Sequence, residues 1–332
     1  MKNKQILGLI AAALVFVFVG VSNAITKSKL TNDVSEKGNK LTSLLESELN
    51  SSITLPEYNY VGVVEVNGTI SESEGSSVFS SESYNHQGTL DYIESMKNSP
   101  YNKGILLVVD SPGGGVYESD ELYLKLKDYK ETTGNPVWTY MKSEACSGGY
   151  YISMASDKIF ANRNCTTGSI GVIMSLVNTK DLYDKLGIKE INITSGKNKA
   201  MGSSGQDLTD EQKEILQSNV DEAYEQFVSI VADGRKMDVE TVKKIADGRI
   251  YTAKQALELG LIDEIADYET VETAITDSLG EDVELYTPDT STNDFFSSLF
   301  SAYKGTKEKS DAQVITEYLE KAGNRGLMYY AE

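Results

Sequence analysis

At 332 residues, 40% of them hydrophobic and 24% charged, the chain can bury a substantial core, and its length fits one large or two modest domains. Its formal charge of −19 argues against nucleic acid as a partner, because phosphate neutralisation needs clustered Lys and Arg. The same charge disfavours broad docking of the soluble part on anionic lipid. The two cysteines, Cys146 and Cys165, give neither a disulfide framework nor a CxxC metal spacing. They read as small buried apolar residues, and no cofactor or metal is expected.

Met1-Lys2-Asn3-Lys4-Gln5 precedes an uncharged run from Ile6 to Ala24. As a helix this run would be roughly 28 Å long, close to the ~30 Å hydrocarbon core of a bilayer. It ends in Ser22-Asn23-Ala24, which resembles a small-x-small cleavage site. An uncleaved membrane anchor over residues 1–25 is the expectation, with a cleaved signal peptide as its rival. Either one places the rest of the chain outside the cytoplasm. Residues 26–57 are rich in Ser, Asn, Lys and Glu and read as a linker.

Val61 to Val66 is a strand signal closed by Asn67-Gly68, and residues 71–88 read as a loop or flexible insertion. A βα rhythm follows. Gly104 to Asp110 is a continuous apolar strand of the kind buried on both faces, broken by Ser111-Pro112-Gly113-Gly114-Gly115. A helix is expected over 116–131, a strand over Val137–Met141, a helix over Tyr150–Ser156 and a short strand over Lys158–Ala161. Thr166 to Ile173 reads as a glycine-punctuated turn and strand, and Glu190–Ile193 as a strand. Amphipathic helices are expected over 209–233 and 237–246, and a last helix near 251–260. Alternation of this kind argues for an α/β domain with parallel strands, placed at 58–266. Residues 267–332 read as an acidic, polar tail. Its apolar cluster Phe295–Phe300 would pack on the chain's own core, on another subunit or on the bilayer.

Ser147 lies in Ala145-Cys146-Ser147-Gly148-Gly149-Tyr150-Tyr151, a serine between small residues at the mouth of a helix. Histidine is the usual base for such a nucleophile. The single histidine, His86, sits far upstream in a polar stretch, so lysine is the expected substitute. A free lysine amine titrates near about 10.4, and holding it neutral at pH 7 costs roughly 4–5 kcal/mol, which only a dry pocket or a neighbouring cation supplies. Lys197 and Lys199 lie in the turn-rich stretch Thr194–Gly202, and composition does not choose between them. Gly113, Gly114 and Gly148 stand at turns where backbone N–H groups can approach a ligand, the arrangement an oxyanion needs.

Four blocks occur in order: Ser111–Ser119 (SPGGGVYES), Ser147–Ser153 (SGGYYIS), Ala155–Ala161 (ASDKIFA) and Thr167–Ile173 (TGSIGVI). With Ala246–Tyr251 (ADGRIY), they resemble the signal peptide peptidase A family in its short, single-domain Gram-positive form, over roughly residues 58 to 266. The resemblance implies a Clp protease/crotonase-like βαβ superhelix with an N-terminal transmembrane helix. It also implies a homo-oligomeric ring whose neighbouring subunits build the groove, and peptide substrates, chiefly cleaved signal peptides. By position it makes Ser147 the nucleophile and Lys199 the base, through the pattern Ser195-Gly196-x-x-Lys199. Ser169 becomes the hydroxyl that orients the lysine, and Gly114 and Gly148 the oxyanion donors. Cys146 stands where the family more often has Ala, and Ala200 where it usually has an acidic residue. Two alternatives use the same turns: a crotonase-type enzyme acting on an acyl thioester, and a non-catalytic, membrane-tethered peptide-binding ring.

Overall fold

The computed structural model describes residues 55–72, 84–280 and 282–288, and the backbone of 328–330. The expected anchor, almost all of the linker and the Phe295–Phe300 cluster lie outside the described residues. Among the described residues no helix is long and apolar enough to cross a membrane.

The centre of the fold is a mostly parallel sheet. β1 (Tyr60–Asn67) pairs in parallel with β2 (Asn102–Ser111). The short β3 (Gly113–Gly115) leaves this sheet, and β4 (Val137–Cys146) returns to it beside β2. β4 is long enough to serve two neighbours on its other side. Trp138–Met141 pair with β5 (Lys158–Ala161), and Glu144–Cys146 pair with β6 (Thr166–Gly168). β7 (Ile250–Thr252) joins β6 antiparallel, while β8 (Glu264–Ile265) joins β5 and β9 (Glu284–Tyr286) joins β1, both in parallel.

The apolar run in β2 explains why the sheet is buried on both sides. Successive side chains of a strand point to opposite faces. Ile105, Leu107 and Val109 therefore join one buried cluster, and Leu106 and Val108 another. Each such side chain contributes roughly 1.5–3 kcal/mol on burial. The first cluster is closed by α1 (His86–Lys97), α2 (Val116–Thr133), α3 (Gly148–Ser153) and, beyond α4 (Lys180–Leu186), by α5 (Asp210–Arg235), α6 (Val239–Lys243) and α7 (Ala253–Glu258). The second is closed by α8 (Tyr268–Leu279), through Val271 and Ile275. The result is a three-layer α/β architecture, with the carboxyl ends of β2 and β4 meeting at the two glycine turns.

Local signals set the helix ends. Thr209 and Gln212 form a capping box that starts α5, and Thr252 and Gln255 another that starts α7, each satisfying two backbone donors. Gly134 ends α2 in the left-handed conformation, φ 71°.

Three expectations need correction. Residues 71–88 are not all loop: Asn85 accepts from the Gly88 N–H and begins α1 at His86. Glu190–Ile193 forms no strand, and Ile191 and Ile193 are 80% and 97% exposed. Their alternation looks like a strand, but among the described residues no strand pairs with them. The compact body also continues past Ala266, because Val271 and Ile275, one helical turn apart, bury α8 against the sheet and β9 extends its edge.

Candidate active site

Ser147 joins the end of β4 to the start of α3 with φ 51° and ψ −114°, outside the regions a non-glycine residue ordinarily occupies. Such strain persists only where the surroundings over-determine it. Here the Ser147 N–H donates to Gly168 O at 2.8 Å, and the Tyr151 N–H donates to Ser147 O at 2.8 Å. The short helix that follows is clamped by its own side chains. Tyr150 Oη donates to Leu261 O at 2.8 Å, Tyr151 Oη to Asp120 Oδ1 at 2.6 Å, and Ser153 Oγ to Gly149 O at 2.8 Å. Ser147 is 1% exposed and its Oγ has no hydrogen-bond partner among the described residues. A sharp strand-to-helix turn that holds a serine hydroxyl apart from the protein's own acceptors is the geometry of a nucleophile elbow.

The two glycine turns converge. A Cβ placed on Gly148 would lie 3.1 Å from the Gly114 nitrogen and 3.2 Å from Gly113 Cα. Gly148 opens α3, where a first-turn N–H has no partner within the helix. Gly114 is obligatory: a Cβ there would fall 1.8 Å from Ile70 O. The Ile70 backbone in turn holds the strand, donating to Gly113 O at 2.9 Å and accepting from the Gly115 N–H at 2.8 Å. The backbone of Met328–Tyr330 (β10) runs antiparallel along Gly113–Gly115, so the edge of β3 accepts an extended peptide.

Ser169 stands beside the elbow. Cys146 and Gly168 are register partners across β4 and β6, which sets the following residues, Ser147 and Ser169, side by side. Ser169 is 7% exposed and also has a positive φ, 49°. Its N–H donates to Arg249 O at 2.8 Å, which ties it to the Ala246–Tyr251 block.

The lysines stand apart from this group within one protomer. Lys199 is exposed in the turn Gly196–Met201, and its amine has no hydrogen bond or ion pair among the described residues. Ser147 Oγ has no partner, so the two do not touch. Lys197 is committed elsewhere. Its Nζ lies 2.6 Å from Glu211 Oε1, a bond that holds the Glu211 carboxyl below its ordinary value.

The alternative groups are occupied or inert. His86 is buried: Nε2 lies 2.9 Å from Glu121 Oε2 and Nδ1 lies 2.7 Å from Tyr84 Oη. A carboxylate takes an N–H, which leaves Nδ1 to accept from the tyrosine hydroxyl. Both ring nitrogens are thus engaged. Cys146 is buried, and desolvation pushes its thiol up to about 12, away from the reactive thiolate.

Sequence reasoning missed Ser119. It is fully buried in the first turn of α2, its Oγ has no partner among the described residues, and that oxygen lies 2.5 Å from the Cβ position of Gly148. The only sequence signal was its place at the end of SPGGGVYES.

Residues 130–281 match the model of peptidase family S49. The chain is 46% identical over 200 residues to a protein of Enterococcus faecium named as a candidate signal peptide peptidase SppA, covering 60% of this chain and 58% of that protein. It is 45% identical over 161 residues to the candidate protease slr0021 of Synechocystis, covering 48% of this chain and 57% of that one. It is also 32% identical over 206 residues to the chloroplastic serine protease SPPA of Arabidopsis thaliana, covering 62% of this chain and 30% of that one. The chain therefore spans well under two thirds of the length of these curated relatives. The four ordered blocks, the α/β fold and these matches agree: residues 130–281 match a peptidase S49 domain, and together they support the signal peptide peptidase A family for this chain.

Proposed function

We propose that this chain is a serine peptidase that cleaves short apolar peptides, among them released signal peptides. The observation that carries the reading is the strained, buried Ser147, its hydroxyl unpartnered, beside the converging Gly114 and Gly148 turns. In the reaction, Ser147 Oγ passes its proton to a neutral Lys199 amine and attacks the peptide carbonyl. The N–H groups of Gly114 and Gly148 stabilise the oxyanion, each worth roughly 2.7–4 kcal/mol. Lys199 then protonates the leaving amine, and water repeats the sequence on the acyl-enzyme. Ser169 orients the lysine. The substrate adds a strand to β3, as Met328–Tyr330 does.

Assembly completes the site in this reading. Lys199 is exposed in one protomer, and a lysine serving as general base needs a dry pocket, which a neighbouring subunit would supply. The segment that carries it displays a run of uncovered apolar side chains, including Leu182, Leu186, Ile188, Ile191 and Ile193 at 50%, 64%, 48%, 80% and 97% exposure. An apolar surface of this kind marks an interface. A second copy of the chain would cover it and bring a lysine to a neighbouring Ser147. The run Ile6–Ala24 would anchor the assembly to the membrane, with the catalytic part outside the cytoplasm.

The test is turnover of an apolar peptide ester or amide by the full chain in detergent, in parallel with Ser147→Ala, Lys199→Ala and Lys197→Ala. Loss in the first two and retention in the third is expected. Full turnover by Ser147→Ala sinks the reading, and thioester turnover surviving that change would favour the crotonase-type alternative.

A further inference from the structure

We infer that the hydroxyl of Ser119 is a third hydrogen-bond donor to the oxyanion, beside the N–H groups of Gly114 and Gly148. The inference rests on the peptidase reading and deepens it.

A serine inside a helix ordinarily satisfies its hydroxyl by bonding back to the carbonyl four residues earlier, here that of Gly115. Ser119 does not. It is 0% exposed, and its Oγ has no partner among the described residues. Burying a hydroxyl without a partner lowers stability, and native proteins keep such groups where function supplies what the fold does not. The position says what would supply it. The Cβ site of Gly148 is 2.5 Å from Ser119 Oγ and 3.1 Å from the Gly114 nitrogen, so the hydroxyl lies against the backbone where the Gly114 and Gly148 turns converge. Asp120, Glu118 and Glu121, its neighbours on α2, are each engaged elsewhere: Asp120 with Tyr151 and Gln226, Glu118 with the Glu72 N–H, and Glu121 with His86 and Tyr117. None reaches over to claim the hydroxyl. The polar partner that fits an unpaired O–H beside two converging backbone N–H donors is an oxygen carrying negative charge, which the tetrahedral intermediate would supply. The proton stays on Ser119 throughout, and no bond to it forms or breaks.

The test compares full-chain wild type, Ser119→Ala and Ser119→Cys, the latter keeping the shape with a much weaker donor. Four quantities are read: kcat, KM for an apolar peptide amide, affinity for a peptide boronic acid of the same sequence, and Tm. A donor that acts in the transition state predicts kcat lower by 10- to 100-fold in both variants, with KM within about twofold. Boronate affinity falls by a similar factor, because the tetrahedral adduct mimics the intermediate. Tm stays equal or rises in Ser119→Ala, since an unsatisfied buried hydroxyl has been removed. Wild-type kcat in Ser119→Ala overturns the inference and leaves the peptidase reading standing. A fall in kcat that comes with a lower Tm and a proportionate loss of substrate affinity also overturns it, by assigning Ser119 to packing. A wild type that turns over no peptide removes both.

Discussion

The Ser147 N–H donates to Gly168 O at 2.8 Å, so the backbone of Ser147 is set by the residue before Ser169. Gly168 has φ 87°, and a Cβ there would lie 2.6 Å from the Tyr251 ring. Gly168→Ala is expected to destabilise by at least about 1–2 kcal/mol from the backbone alone, with further loss from the clash, and to lower kcat. Ser169→Ala removes only a hydroxyl. It is expected to lower kcat by about 10-fold or more at nearly unchanged Tm, which thermal unfolding and steady-state kinetics separate. A Ser169→Ala enzyme with wild-type kcat would remove its role toward the lysine.

The relation of Gly114 to Ile70 makes a stronger claim. Any side chain at 114 meets the Ile70 carbonyl carbon and oxygen at 2.5 and 1.8 Å, and backbone cannot move aside cheaply. Gly114→Ala is expected to reduce kcat by about 10²–10³-fold, the loss seen when one oxyanion donor is removed, together with a lower Tm. Gly134→Ala serves as the control: it costs stability through the backbone, at a left-handed glycine with φ 71°, and no atom lies within 4 Å of its Cβ. It should lower Tm and leave kcat intact.

Acid sensitivity has an identifiable source. Burial pushes the Asp263 carboxyl up, but the paired Arg235 guanidinium and the Ile159 N–H outweigh it and hold the carboxyl below its ordinary value. A carboxyl whose folded value is depressed stabilises the fold above its unfolded pKa of about 3.9. That contribution is lost as pH falls through the folded value. Asp263→Asn should lower Tm at pH 7 and flatten the fall in Tm between about pH 5 and pH 2. The side chain is 39% exposed, so solvent screening limits the effect. Parallel Tm curves for the two proteins across that range would show that Asp263 is not the sensor.

Assembly and catalysis should fail together. Ile191→Lys with Ile193→Lys adds charge to the two most exposed apolar side chains of the segment before Lys199. Neither side chain packs in the protomer, so Tm of the isolated subunit should change by less than about 0.5 kcal/mol equivalent. The mass by light scattering in detergent is expected to drop to that of a smaller species, and kcat/KM to fall at least 10-fold. Full activity from a monomeric variant would mean that each protomer builds its own base.

What could be read from sequence follows from how local each feature is. The β2 run and the Ser147 turn are dictated by contiguous residues, and both stand where their pattern implied. The role of His86 needed Glu121, which lies 35 residues away, so only the fold could show both ring nitrogens occupied. Ser119 needed the register of α2 against Gly148. Glu190–Ile193 misled because alternation specifies a strand only when another strand is there to pair. α8 was hidden by acidic composition, although two apolar residues one turn apart suffice to seat a helix.

The pairing of Met328–Tyr330 with Gly113–Gly115 gives a last test. A strand on β3 occupies the edge to which a substrate would add, so Met328–Tyr330 would compete with substrate. A variant ending at Gly326 is expected to have a KM for short apolar peptides several-fold lower than the full chain, with kcat little changed. An added peptide with the sequence of residues 326–332 should restore the higher apparent KM by competition. If the segment is also cut, intact mass will differ between wild type and Ser147→Ala at the C-terminus. Identical masses would exclude self-processing while leaving competition to be judged by KM. An unchanged KM in the shortened chain would show that substrates enter by an edge other than β3.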